Sequence, residues 1–274
     1  MALALVLRGV RSGGLLQSRA MTATEESQEA RLGRIMMALG LLGFGAENIL
    51  FGHYVVARAA PWPADPSARF VVACVTAAVL LASGVALLTG RLVRLAGLLS
   101  GALILGWTLV LHLPVTIAGP AWSGDWTNLL KAGTLAFGLF GVAAADGRPL
   151  DRLMLALRTL APYAAGAFFL LAGIQHFMFS TFVATLVPRF IPGARFWTYF
   201  AGVALIAAGL GFWTPPVRRA AATLAAAMVF SWVFLVHVPL VLTVGRGEWM
   251  GVFEALAISG VCLVLARWPV SRLG

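Results

Sequence analysis

The chain has 274 residues, of which 61% are hydrophobic and only 11% charged, and its formal net charge is +10. Soluble domains carry about 25% charged residues, so this chain cannot cover itself with a water-facing surface. The positive charge sits on arginines scattered over short loops beside apolar runs, which excludes a nucleic-acid footprint and makes the lipid bilayer the partner.

Residues 1–34 precede the first long apolar run. MALALVLRGVRSGGLLQSRA carries arginine but no acid, in the manner of a transit segment. The plainer reading starts synthesis at Met21 and makes MTATEESQEARLGR a cytoplasmic tail. Eight runs of about 20 apolar residues come next, each long enough to cross a bilayer as a helix. They cover Ile35–Ala57, Phe70–Thr89, Leu95–Ala118, Trp126–Ala145, Leu160–Val187, Phe196–Trp213, Ala220–Val244 and Trp249–Arg267. The runs are continuous rather than alternating, so helices are expected and barrel strands are not. Between them, Arg58, Arg69, Arg189, Arg195 and Arg246 fall on one side, and the other fourteen arginines on the side of the termini. This bias places both termini of a multi-pass membrane protein in the cytoplasm.

Two stretches repeat. LVLHLPV (Leu109–Val115) returns as FLVHVPL (Phe234–Leu240), with His112 and His237 each two residues before a proline. Upstream, FGHYVVARAAPWPADPSARF (Phe51–Phe70) aligns with IQHFMFSTFVATLVPRFIPGARF (Ile174–Phe196), pairing His53 with His176. Downstream, WTNLLKAGTLAFG (Trp126–Gly138) aligns with WMGVFEALAISG (Trp249–Gly260), pairing Lys131 with Glu254. The expected fold class is therefore all-α: eight transmembrane helices as two parallel four-helix repeats, residues 35–146 and 147–274.

The candidate site is placed by depth. His53, His112, His176 and His237 lie roughly 25 Å along their spans, and Lys131 and Glu254 roughly 8 Å below the outer ends of theirs. Glu47 is read as lying deeper in the first span, and Gln175 flanks His176. Ionisable groups inside a membrane face a bundle interior or one another. The four histidines, Lys131, Glu254 and Glu47 are therefore expected to line a polar pocket or proton relay near the periplasmic side. Pro114 and Pro239 cannot donate to the helix ladder and crowd the carbonyls of Val110 and Leu235, so each histidine should sit beside a helix distortion. Trp122, Trp126, Trp197, Trp213, Trp249 and Trp268 fit interfacial belts. Cys74 and Cys262 stand alone, without a CxxC dithiol.

The run AGIQHFMFSTFVATLVPRFIPGARFWTYFAGVALIAAGLGF (Ala172–Phe212), then PPVRRAAATLAAAMVF and the HVP site, resembles the DoxX family of four-span membrane proteins. The first half, with GHY, PWP and LHLP, is similar as a more diverged copy. The resemblance implies a four-helix bundle per half, an inner-membrane location and redox work, since some relatives are subunits of thiosulfate:quinone oxidoreductases. Three readings compete. The first is a membrane subunit of a redox system that meets quinone or a periplasmic partner, with the four histidines binding or relaying protons. A variant of it has two histidines ligating haem iron or a metal. The second is a transporter or membrane-protein assembly factor, and the third is a purely structural membrane protein.

Overall fold

A computed structural model describes residues 27–52, 62–145 and 152–267. Among these, eight helices are long and apolar enough to cross a membrane: α1 (Gln28–Phe51), α2 (Pro66–Thr89), α3 (Val93–Ala118), α4 (Gly124–Ala144), α5 (Arg152–Met178), α6 (Ala194–Trp213), α7 (Arg218–Thr243) and α8 (Trp249–Ala266). The described residues contain no strand.

Local chemistry sets the ends. Ser27 caps α1 by accepting from the Ala30 amide at 3.2 Å, and Gly52 closes it at φ 65°, a left-handed conformation that suits glycine. The first span thus begins at Gln28 and ends at Phe51, where the apolar run suggested Ile35–Ala57. The capped, polar first turns QEARLGR continue the helix below the apolar stretch. Asp65 accepts from the Ala68 amide at 2.7 Å and Pro66 takes the first position of α2, where its missing N–H costs nothing. The fifth span differs in the same sense: α5 starts at Arg152, two turns before the apolar run, and stops at Met178. Phe179 leaves helical geometry at φ −112° and ψ 32°, and a separate short helix, Ser180–Thr185, covers most of what the apolar run counted as the end of the span.

The distortions expected beside Pro114 and Pro239 take a definite form. In α3, residues Thr108–His112 make a π turn, and in α7 residues Val233–His237 make another. The amides of Leu113 and Val238 reach back five residues to Thr108 and Val233. Each proline comes one residue later, where no amide is available to continue a regular ladder.

Consecutive helices pack on one another through short connections, so neighbours run antiparallel. The starts of α1, α3, α5 and α7 define one end of the bundle, hereafter the near end, and their finishes the far end. The chain closes into a ring, because α8 returns to pack along α1, while α4 and α8 also touch across the middle. Glycine permits the closest approach. A Cβ on Gly33 would lie 2.6 Å from the Gly260 carbonyl, and one on Gly260 would lie 2.5 Å from the Gly33 carbonyl. The α1 and α8 backbones therefore meet directly, the small-residue packing that membrane helices use. One contiguous core runs through both halves, with Met37, Leu139, Phe169 and Val261 in the same cluster. Large apolar side chains on the rim, including Val75, Leu109, Phe200, Leu224 and Phe234, are exposed, as lipid-facing positions would be.

Candidate functional site: buried ionisable groups and two π turns

The far third of the bundle collects the polar side chains. Lys131 of α4 donates to Glu254 Oε2 of α8 at 2.6 Å, with both side chains largely buried. Glu47 projects from α1 at the α1–α8 contact and is 3% exposed. Because α1 ends at Phe51, Glu47 is only four residues from the helix end, about 6 Å. It therefore shares the level of Lys131 and Glu254 rather than lying deeper, which corrects the expectation from the sequence. Gly40 and Gly43 of α1 meet Ala257 and Phe253 of α8, so the next turn of α1, which carries Glu47, lies against the first turns of α8, which carry Glu254. Both Glu47 oxygens and Glu254 Oε1 are buried without a hydrogen-bond partner among the described residues. Beside them Asn48 donates to Thr76 of α2 at 3.1 Å, which ties α1 to α2.

The histidines divide. His53 lies outside the described residues. His112 is buried as the last residue of the α3 π turn. His237 ends the α7 π turn and packs on α8, where a Cβ on Gly251 would lie 2.5 Å from its Nδ1. His176 of α5 holds its Nδ1 2.7 Å from the Ala172 carbonyl. A carbonyl only accepts, so Nδ1 carries the proton and Nε2 keeps its lone pair. The His176 ring stacks on Trp232 of α7, with centroids 6.3 Å apart and an interplanar angle of 22°. His176 and His237 thus both border the stretch of α7 around Trp232. His112 belongs to α3, which packs on α2 and α4, whereas α7 packs on α6 and α8. Among the described histidines, His112 thus lies on a helix of the first half, and His176 and His237 on helices of the second. Among the described residues no group of three or more His, Cys, Asp or Glu side chains is placed to hold a metal ion. Cys262 is buried and Cys74 half-buried, both as free thiols.

Three polar features carry more than their sequence context suggests. Gln175, which the sequence marks only as a neighbour of His176, donates to the carbonyls of Trp122 and Ser123 at 3.0 Å each and accepts from Thr127, pinning the end of α5 to the start of α4. Trp126, expected in an interfacial belt, has its indole N–H buried without an acceptor among the described residues. Trp213, expected there too, donates to the Tyr163 carbonyl at 3.2 Å. An interfacial tryptophan and one that bonds inward look alike in sequence, because both end an apolar run.

Eight apolar helices around a shared core, with their ionisable groups turned inward, define the class: a polytopic helical protein built for a membrane. Residues 165–270, from the middle of α5 to just past α8, match a family model described as a domain of unknown function (DUF8561). No curated protein and no solved structure matches the chain.

Proposed function

We propose that the protein is an integral membrane subunit of a quinone-linked redox system, made of two DoxX-like four-helix repeats in an inner membrane with both termini cytoplasmic. The duplication is supported by the packing. The contacts α1–α2, α2–α3, α3–α4 and α4–α5 are answered by α5–α6, α6–α7, α7–α8 and α8–α1. The two π turns are answered residue for residue, each ending in a histidine.

The observation that carries the redox reading is in the second half, where the oriented His176 imidazole stacks on the Trp232 indole and the helix of Trp232 goes on into a π turn ending in His237. A quinone head group needs a flat apolar slot and N–H donors for its carbonyls. The buried, acceptorless Trp126 N–H is a candidate donor at the far end. His176, His237 and Trp126 would hold the head group, and quinone when bound supplies two-electron, two-proton chemistry. His176 keeps Nε2 as a proton acceptor because Nδ1 is committed to Ala172. His237 is aimed by the widened turn that precedes Pro239.

The test is quenching of intrinsic tryptophan fluorescence by a short-chain quinone in detergent. Saturable quenching is expected for the native protein, with at least tenfold weaker binding in His176→Ala and His237→Ala variants that still purify as folded protein. Equal binding by native protein and both variants would remove the histidines from the site. A visible spectrum with sharp bands that shift on dithionite reduction would replace quinone by haem.

A further inference from the structure

Glu47, Lys131 and Glu254 come from α1, α4 and α8, the helices most enclosed by their neighbours. Lys131 pairs with Glu254, and Glu47 is buried at the same α1–α8 contact without a counter-ion of its own among the described residues. With all three ionised, the cluster carries one uncompensated negative charge in an apolar interior, which membrane proteins do not tolerate unanswered. From α7 comes the His237 imidazole, which packs on Gly251 of α8 about one turn from Glu254. From α2 the nearest polar group is Thr76, whose hydroxyl donates to the Val72 and Ala73 carbonyls while it accepts from Asn48. Arg34, on the same helix as Glu47, is committed to the Leu87 carbonyl at the near end, thirteen residues or about 20 Å away. From α8 comes Glu254 itself, and from α4 Lys131, which donates to Glu254 Oε2.

Three carboxylate oxygens, both of Glu47 and Oε1 of Glu254, are left buried without a partner among the described residues. A hard metal cation takes about six or more oxygen ligands, which these three do not supply. A proton needs one oxygen to bind and a second to accept the hydrogen bond. We propose that the Glu47–Glu254 pair, with Lys131 as its fixed counter-charge, is a binding site for a single exchangeable proton. In the loaded state one carboxyl of the pair is a carboxylic acid donating to the other, and Lys131 balances the remaining charge. Unloading breaks that O–H bond and returns the proton to water at the far end, with no electron transferred. The site uses other side chains than the histidine–tryptophan site and does not depend on the quinone reading.

The experiment is infrared difference spectroscopy of the full-length protein in lipid vesicles, stepping the pH in H₂O and in D₂O. The expected result is a carboxylic-acid C=O band that shifts in D₂O, disappears on the step to high pH, and is lost in both Glu47→Gln and Glu254→Gln. Should Glu47→Gln fail to fold, Glu254→Gln and the native protein decide the matter on their own. The proposal is overturned if the native protein shows no such band. It is also overturned if the band survives both substitutions, or if adding Na⁺ at fixed pH abolishes it, which would make the site a sodium site.

Discussion

At the level of single residues, the tightest constraint lies where a backbone meets an indole. Gly166 of α5 sits under the Trp213 ring, and a Cβ there would overlap the indole. Trp213 holds its position by donating to the Tyr163 carbonyl of the same helix. Gly166→Ala should displace the ring and break that bond, at a cost of about 1–3 kcal/mol. Gly106 of α3 has open space where a Cβ would go. Gly106→Ala should leave stability unchanged or raise it by up to about 1 kcal/mol. Thermal unfolding of the two variants in the same detergent checks the contrast, and equal melting points would discard the packing argument. The sequence shows 30 glycines but not which of them carries a helix crossing. That depends on the rotational phase of each helix, and uniformly apolar spans leave the phase open. The Lys131–Glu254 pair was easier to find, because opposite charges at matching repeat positions in apolar spans have few other places to go.

At the level of the element, the π turns set where His112 and His237 point. A π turn inserts roughly one extra residue into the helix, so the segment after it is rotated by about 100° relative to a regular helix. Pro239→Ala restores an amide that can bond to the Leu235 carbonyl and favours a regular α-helix through this stretch. The substitution should therefore leave thermal stability equal or higher, while quinone quenching weakens because His237 is re-aimed. Lost stability with intact quenching would mean that the proline holds the fold and not the site. The sequence located this distortion, since a proline in mid-helix has to perturb the ladder. It did not reveal that the perturbation becomes a π turn, which depends on how Thr108, Val233 and their neighbours pack. The helix ends were shifted for a related reason. Apolar periodicity marks what lipid covers, whereas the backbone continues until a cap such as Ser27 or a left-handed glycine such as Gly52 stops it.

For the whole molecule, eight spans were legible from hydropathy alone, but the ring was not. Nothing in the sequence says that the first helix and the last pack along one another through Gly33 and Gly260, because any two apolar helices are equally plausible neighbours. Orientation rests on charge. Among the described residues, Arg31, Arg34, Arg91, Arg94, Arg152, Arg158, Arg218, Arg219 and Arg267 lie at the near end, and Arg69, Arg189, Arg195 and Arg246 at the far end. The near end should therefore face the cytoplasm. Single cysteines placed in a Cys74→Ala, Cys262→Ala background report this directly. Ala121 and Gly247 are exposed on far-end connections, and Pro216 is exposed on a near-end one. Ala121→Cys and Gly247→Cys should react with a membrane-impermeant maleimide in intact spheroplasts, and Pro216→Cys only after permeabilisation. The reverse pattern would put the Glu47–Lys131–Glu254 cluster a short distance from the cytoplasm. Its proton would then exchange with the interior of the cell rather than with the outside.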